Sequence, residues 1–342
     1  MRRRKKLSYY LVSIFVAGLL LAAFIWAIFN VLDFSSSAGE ARFGVTFSHK
    51  YTSENLGLDW KKVYLAIVDD LGVKDIRLVS PWDWTEKEEG QYNFADLDWM
   101  IQEAGKRNIN IVLAIGRRTP RWPECHDPLW LKELTKEEQE KKLLALIERT
   151  INHFQKYKNI KIWQVENEPF LEFFGQCPKP DQELIAKEVK LVKLLDARPI
   201  MVTDTGELSN WQRAGSLADI LGVTMYKTVW NDFMGIWRYP WPPAYYYYKA
   251  QSIKKNYPSV NQVIVSELQA EPWSIHGKNI KLFDIDDQFD LFSLGDFKRN
   301  LKYVKKAGFP ESYLWGVEWW YWLKTEKNHP EFWNTAQKIW QK

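Results

Sequence analysis

The chain has 342 residues, which is enough for one large domain or two modest ones. Its formal net charge is +4, but the basic residues at positions 2–6 supply +5, so the rest of the chain is about neutral. A near-neutral body argues against nucleic acid as a partner. Aromatic residues make up 15% of the chain, with 19 tryptophans; an aromatic-rich core is the simplest explanation, and exposed rings that hold sugars are the alternative.

The first element in chain order is an uncharged run at residues 7–32, directly after the basic residues. A membrane-spanning helix needs ~20 apolar residues, whereas the apolar core of a secretory signal has only about 7–15. Because positive residues stay on the cytoplasmic side, we predict a cytoplasmic basic tail at 1–8 and a transmembrane signal anchor at 9–32. A flexible linker at 33–40 and an extracytoplasmic domain at 41–342 follow. The alternative is secretion after signal cleavage, since Ser36 and Ala38 form a tolerable small-residue cleavage site.

Beyond the linker, short apolar runs alternate with longer amphipathic ones, which is typical of a parallel sheet with crossover helices. The predicted strands are 42–47, 75–80, 110–115, 160–165, 199–203, 220–226, 262–266 and 312–317. The predicted helices are 58–71, 95–107, 134–157, 181–195, 209–218, 243–257, 289–307 and 331–340. Eight such units close a barrel. The sequence therefore predicts an α/β protein, a (β/α)8 TIM barrel preceded by one N-terminal transmembrane helix.

Two cysteines, Cys125 and Cys177, follow the third and fourth predicted strands. Outside the cytoplasm a disulfide between these neighbouring loops is possible. The sequence has no CxxC pair and its five histidines are scattered, so we expect neither a metal site nor a cofactor.

Charged and aromatic residues stand where the predicted strands end, which is the face where barrel active sites lie. The fourth strand runs into "WQVENEP", with Glu166, Asn167 and Glu168, and the seventh ends at Glu267. Cleavage of a glycosidic bond needs one carboxylic acid to protonate the leaving oxygen and one carboxylate at the anomeric carbon. We expect Arg77 and Tyr226 to keep Glu267 ionised, and we expect burial beside a negative neighbour to keep Glu168 protonated.

These motifs resemble the clan A retaining glycoside hydrolases, which include the cellulase-type family 5, the β-xylosidase family 39 and the β-galactosidase family 42. The stretch "SPWDWTEKEEGQYNFADLDWMIQEAGKRNINIVLAI" also resembles the second βα unit of that clan. The likeness extends over nearly all of residues 41–342, as scattered short motifs.

The resemblance implies a role for each matching residue. Glu168 would be the acid/base, Asn167 its substrate-binding neighbour and Glu267 the nucleophile. Arg77 and Tyr226 would orient Glu267. Trp319 would be the aromatic under the sugar, with Trp315 or Trp320 as alternatives. The chain departs from the clan after Glu267, where residues 268–270 read "LQA" rather than an aromatic and a glycine, and Glu271 is the rival nucleophile.

Other residues near the strand ends allow two interpretations. Glu166 hydrogen-bonds within the barrel mouth or lines a subsite, and Glu318 contacts a sugar hydroxyl or forms a buried ion pair. Trp230 belongs to an aromatic sixth loop that is either a sugar platform or a packed lid. We expect the arginines of the third loop to be solvated; these are Arg117, Arg118 and Arg121.

The sequence thus predicts a membrane-anchored glycosidase that hydrolyses β-linked oligo- or polysaccharides with retention of configuration. Two alternatives remain at this point. One is a transglycosylase that remodels surface glycans with the same residues, and the other is a catalytically silent glycan-binding barrel.

Overall fold

A computed structural model describes residues 2–231, 233–275 and 278–341, with side chains from residue 10 onward. The strands are β1 (Arg42–Phe47), β2 (Asp75–Val79), β3 (Asn110–Ile115), β4 (Ile160–Val165), β5 (Ile200–Asp204), β6 (Ile220–Met225), β7 (Thr228–Asn231), β8 (Gly235–Arg238), β9 (Gln262–Gln269) and β10 (Glu311–Trp315). The helices are α1 (Arg2–Val31), α2 (His49–Glu54), α3 (Trp60–Ala66), α4 (Trp82–Thr85), α5 (Ala95–Lys106), α6 (Lys136–Phe154), α7 (Gln182–Leu195), α8 (Gln212–Gly215), α9 (Pro243–Asn256), α10 (Ile285–Leu291), α11 (Leu294–Lys306), α12 (Val317–Glu326) and α13 (Glu331–Trp340).

Within the described residues, eight strands form a closed parallel barrel in the order β1-β10-β9-β6-β5-β4-β3-β2. The two ends of the chain close it, because β1 pairs with both β2 and β10. Each strand is almost wholly buried, which explains why the strands read as apolar runs rather than as alternating ones. The predicted barrel is confirmed, and the predicted strands differ from the observed ones only at their ends.

Apolar side chains fill the barrel interior and the layer between strands and helices separately. A small interior cluster consists of Val112, Met201, Ile220, Ile264 and Tyr313, and the larger cluster lies beneath the helices. A cavity of about 270 Å³ opens at the amino-terminal end of the barrel. It is lined in part by Arg42, Asp75 and Glu311, so it lies at the opposite end from the predicted carboxylates.

Local signals set the helix ends. Helix α6 begins at a capping box in which the Thr135 hydroxyl accepts from the Glu138 N–H and the Glu138 carboxylate accepts from the Thr135 N–H.

At the end of β10 the chain turns at Gly316, whose φ is +135°. A Cβ there would lie 2.7 Å from the Glu271 Cβ, so only glycine fits. This turn ends the eighth strand at Trp315 and makes the following "VEWWYW" helical, whereas we predicted strand as far as residue 317.

The loop after β6 contains an antiparallel hairpin, β7–β8, which the sequence did not predict as strand. Thr228 pairs with Arg238 at its base and Asn231 with Gly235 near its tip. The hairpin follows the carboxyl end of a barrel strand, so it stands on the same face as the predicted site.

Helix α1 contains a stretch long and apolar enough to cross a membrane, Tyr10–Val31, with mean hydropathy 2.7 and none of it buried in the protein. A signal sequence has the same properties. The predicted basic tail, 1–8, lies entirely outside the described side chains. Within the predicted linker, 33–40, the Phe34 ring stacks on Tyr247 at 3.8 Å and the Phe34 N–H donates to the Lys306 carbonyl at 2.9 Å, so Phe34 contacts the barrel.

Candidate active site

Glu168 lies in a strained turn directly after the end of strand β4. Glu166 and Glu168 both have positive φ, 60° and 43°, which is uncommon for residues other than glycine. Neighbouring loops hold this geometry: the Glu168 N–H donates to the Thr203 hydroxyl at 2.8 Å, and the Asn167 N–H donates to the Arg118 carbonyl at 2.7 Å. Strain of this kind persists only where the surroundings enforce it, and it concentrates at functional sites.

Glu267 lies in strand β9, directly after an irregularity in the pairing of this strand with β6. Val265 pairs with Val223 of β6, but the next pair is Glu267 with Thr224, so Ser266 is extra. A bulge of this kind re-aims the side chains that follow it. Here it brings Glu267 to the same hydrogen-bonded cluster as Arg77, inside the mouth of the barrel.

Both carboxylate oxygens of Glu267 accept hydrogen bonds from the two residues named from the sequence. Arg77 Nη1 donates to Oε1 at 2.8 Å, and the Tyr226 hydroxyl donates to Oε2 at 2.8 Å. Arg77 is fully buried, and its other nitrogens donate to Gln164 at 2.6 Å and to Asn167 at 2.7 Å. One guanidinium therefore ties β2, β4 and β9 together and provides the positive charge for a buried carboxylate.

Glu168 lies in a different environment. Within the part of the chain that the structure describes, its carboxyl accepts one hydrogen bond, from the Thr224 hydroxyl at 3.2 Å. Burial, and then the negative charges of Glu267 and Glu124, raise the pKa of Glu168 well above its usual range. The two acids thus lie in different surroundings: Glu267 accepts hydrogen bonds from a guanidinium and a phenol, whereas Glu168 is buried near other acids.

The Asn167 amide is engaged by protein groups. Its oxygen accepts from Arg77, Gln164 and the Thr203 hydroxyl, and its nitrogen donates to Glu124 Oε2 at 3.0 Å. Sequence reasoning missed Glu124, whose pKa burial raises to about 7. Its one sequence signal was the neighbouring cysteine: Cys125 is disulfide-bonded to Cys177, which fastens this loop to the loop after β4.

Glu166 supports the third loop. Its two carboxylate oxygens accept the backbone N–H groups of Arg117 and Arg118, at 2.6 and 2.7 Å. The close approach requires Gly116, because a Cβ there would lie 2.2 Å from the Glu166 carboxylate. Of the two interpretations offered by the sequence, hydrogen bonding within the barrel mouth describes Glu166.

A second charged cluster lies beside the first and corrects two expectations. Arg121 was expected to be solvated, but it is buried and paired with Glu271 and Glu318. Its guanidinium lies between the rings of Tyr51 and Trp315, at 4.0 and 4.1 Å. Arg118 is also buried, whereas Arg117 is partly exposed and pairs with Asp127. Glu318 therefore forms the buried ion pair rather than a free contact for a sugar, and Arg121 engages Glu271, the rival nucleophile.

Trp319 does not reach the site, and the expectation that it lies under the sugar is wrong. The turn at Gly316 sends it into α12, where it is fully buried 4.8 Å from the Phe332 ring and donates to Gln288 at 2.7 Å. Trp320 is likewise buried and donates to the Ala270 carbonyl. Trp315, the other alternative, ends β10 beside the Arg121 cluster.

A row of aromatic rings leads outward from Tyr226. Tyr226 lies 5.0 Å from Trp273, Trp273 lies 5.6 Å from Phe174, and Phe174 lies 5.8 Å from Trp122. The row ends at the half-exposed Trp122. Trp230 stands apart from it, partly buried on β7.

Comparison with known proteins finds glycoside hydrolases. The β-galactosidase model of glycoside hydrolase family 42 matches residues 59–183, which include Arg77, Asn167 and Glu168 but not Glu267. A curated relative, beta-galactosidase BgaA of Clostridium cellulovorans, is 37% identical over 93 residues. That match covers 27% of this chain and 12% of the relative.

Solved structures with the same fold are glycoside hydrolases of several families. A family 10 endo-β-1,4-xylanase from Gloeophyllum trabeum has TM-score 0.54 and 14% identity, covering 90% of this chain and 99% of its own. GH5_18 from Bifidobacterium longum has TM-score 0.57 and 12% identity, covering 81% and 70%. The resemblance to clan A glycoside hydrolases is confirmed. At these identities the solved structures establish the fold, and the match to family 42 leaves the specific family open.

Proposed function

We propose that the protein is a retaining β-glycosidase that hydrolyses O-glycosyl bonds of β-linked glycans, with Glu168 as acid/base and Glu267 as nucleophile. The observation that carries the proposal is the contrast between the two acids. Glu267 accepts hydrogen bonds from a buried cation and a phenol, whereas Glu168 is buried with a raised pKa and accepts one hydrogen bond from a hydroxyl. A two-carboxylate mechanism needs two acids whose surroundings differ in this way.

The reaction takes place in two displacements. First, Glu267 attacks the anomeric carbon while Glu168 gives its proton to the departing glycosidic oxygen, so that a glycosyl ester forms on Glu267 and the aglycone leaves as an alcohol. Then Glu168, now ionised, takes a proton from water, which attacks the same carbon and breaks the ester bond. Two inversions restore the β configuration. Arg77 and Tyr226 hold the attacking carboxylate in one orientation throughout.

Aromatic and polar residues around the acids suit a sugar substrate. Trp315 ends the eighth strand beside the site, and the rings of Trp273, Phe174 and Trp122 extend from Tyr226 toward solvent. Apolar ring faces pack against the C–H faces of sugars. We also propose that Asn167 turns from Glu124 to a sugar hydroxyl when substrate binds, and that Trp230 lines the cleft from the sixth loop.

The N-terminal helix supports a location for this activity. Its length and hydropathy, together with the basic residues before it, favour a single-pass anchor with the barrel outside the cytoplasm. The Cys125–Cys177 disulfide is compatible with an oxidising compartment. We accordingly propose that 1–8 is cytoplasmic, 9–32 spans the membrane and 41–342 is the catalytic domain.

The test is hydrolysis of a panel of aryl β-glycosides and β-glucans, galactans and xylans by the full chain in detergent micelles. For a substrate that is cleaved, nuclear magnetic resonance should detect the β anomer of the free sugar first. Glu267→Ala and Glu168→Ala should each lose most activity. Added azide should restore turnover in both variants, but the two products should differ in anomeric configuration. Azide in place of the nucleophile yields the α-glycosyl azide, whereas azide in place of water in Glu168→Ala yields the β-glycosyl azide.

Glu137→Gln, on the exposed first turn of α6, is the matched control and should retain full activity. Activity that survives in both alanine variants would contradict the assignment. An α anomer as first product would replace retention by inversion. Sugar binding without turnover would favour the silent barrel, and transfer to an added sugar in preference to water would favour the transglycosylase.

A further inference from the structure

The tip of the β7–β8 hairpin presents large apolar side chains to solvent. Phe233 is 96% exposed, Met234 49%, Ile236 48% and Trp237 38%. Ile236 and Trp237 are consecutive on β8 and so lie on opposite faces of the hairpin, which therefore exposes apolar side chains at its turn and on both faces. Soluble monomers rarely expose this much apolar surface without a partner. We call these four residues the apolar tip. It stands on the catalytic face, because the hairpin follows β6 directly.

Helix α1 reaches the barrel at the base of the same hairpin. Trp26 Nε1 donates to the carbonyl of Pro240, two residues after β8. Further along, Phe29 lies 5.9 Å from Tyr248, and Phe34 stacks on Tyr247. Contact thus begins above the start of α9 and continues beside its first turns.

The order of these contacts sets the direction of the helix. Helix α9 begins at the catalytic face and runs away from it, as helices do in this fold. Since α1 descends beside α9 after Trp26, its earlier residues extend beyond the catalytic face. These contacts move the membrane-spanning part of α1 from the 9–32 proposed above to the residues up to the first barrel contact, 7–26, which carry no charge and number 20. At 1.5 Å per residue they span ~30 Å, the thickness of the hydrocarbon layer.

We propose that the apolar tip docks on the bilayer that α1 spans, so that the catalytic cleft faces the membrane surface. We assign lipid as the partner of the apolar tip because the membrane-spanning part of α1 extends from the barrel beside the base of the hairpin. The bilayer therefore lies at this face of the barrel and at no other. Phenylalanine and tryptophan are the side chains that insert at the boundary between headgroups and acyl chains. The tip therefore adds a second, reversible contact beside the anchor.

This orientation narrows the substrate class, a step that rests on the proposed function. A cleft held against the bilayer meets sugars that are attached to lipids or lie close to the surface. Long soluble polysaccharides approach it only from the side. The substrate is accordingly the short glycan headgroup of a membrane lipid.

The docking is tested with the full chain in phosphatidylcholine nanodiscs. Both native cysteines are in the disulfide, so Phe233→Cys supplies a single free thiol for an environment-sensitive fluorophore. Its emission should shift to the blue, and nitroxide-labelled phosphatidylcholine should quench it by about twofold or more. Leu194→Cys is the matched control: Leu194 is 75% exposed at the end of α7, on the opposite face of the barrel, and its label should do neither. A blue shift without quenching by lipid would mean that a second copy covers the tip, and it would overturn the proposal, as would a solvent-like label.

The substrate class is tested by comparing one β-glycoside on a lipid in the nanodisc with the same sugar as a soluble aryl glycoside. Phe233→Asp should lower hydrolysis of the lipid-borne sugar about tenfold and leave the soluble one unchanged. Equal effects on both substrates would overturn the substrate class. If the unmodified chain hydrolyses neither, the proposed function and the substrate class fail together, while the fluorescent label still decides the docking independently.

Discussion

The buried guanidinium of Arg77 is the interaction that most directly tests the geometry of the site. Arg77→Met replaces it with a side chain of similar length and no donors. Glu267 then keeps only the Tyr226 hydroxyl, and the amide oxygens of Gln164 and Asn167 each lose a donor. All of this happens at a fully buried position, where water cannot substitute.

The magnitude follows from the burial of both partners. Arg77 has 0% and Glu267 4% of the side chain exposed. Removing one partner of a buried ion pair costs about 3–5 kcal/mol, because the other charge is left unpaired. The Arg77→Met/Glu267→Gln double variant removes that charge as well. Its loss of stability should be smaller than the sum of the two single losses by about 2 kcal/mol.

Urea denaturation of the full chain in detergent, followed by tryptophan fluorescence, measures the free energy of unfolding of the unmodified protein, the two single variants and the double variant. Arg107→Met is the matched control, because Arg107 pairs with Asp69 at the surface, where the side chains are 26% and 53% exposed. That variant should lose no more than about 1 kcal/mol. The reasoning is refuted if Arg77→Met loses no more than Arg107→Met, or if the two single losses add without coupling.

Three further predictions concern the loops and the aromatic residues. Burial raises the pKa of Glu124 to about 7, above its ordinary value of 4.5. Between these two pH values Glu124 is ionised in the unfolded chain but still protonated in the folded protein, so the free energy of unfolding falls as pH rises. Glu124→Gln should make this fall smaller by about 3 kcal/mol, as measured by urea denaturation at several pH values. If the free energy of unfolding of the variant depends on pH as that of the unmodified protein does, the prediction is wrong. Replacing both Cys125 and Cys177 by serine should cost about 4 kcal/mol, since the bridge links residues 52 apart; a loss below about 1 kcal/mol would mean that it does not brace the cleft. Trp319→Ala should lower stability by about 3–5 kcal/mol through a core cavity, whereas Trp315→Ala should lower kcat/KM for an aryl glycoside about tenfold; the reverse pattern would return Trp319 to the site.

The barrel and the order of its chemical groups along the chain could be predicted from local sequence patterns. Strand and helix signals are local, since burial on both faces produces apolar runs and amphipathic periodicity marks the helices between them. Once eight parallel units are recognised, all their carboxyl ends must meet at one face. Arg77, Asn167, Glu168, Tyr226 and Glu267 could therefore be assigned to one site without coordinates.

The contacts that each side chain at that face makes could not be predicted in this way, because they depend on segments that are distant in sequence. Position 316 admits only glycine because Glu271, distant in sequence, packs against it, and the helix that carries Trp319 into the core begins directly after this turn. Arg121 is buried because two acids and two rings from other loops converge on it. Such outcomes depend on which distant residues share a position in space, and no pattern within a single segment records that.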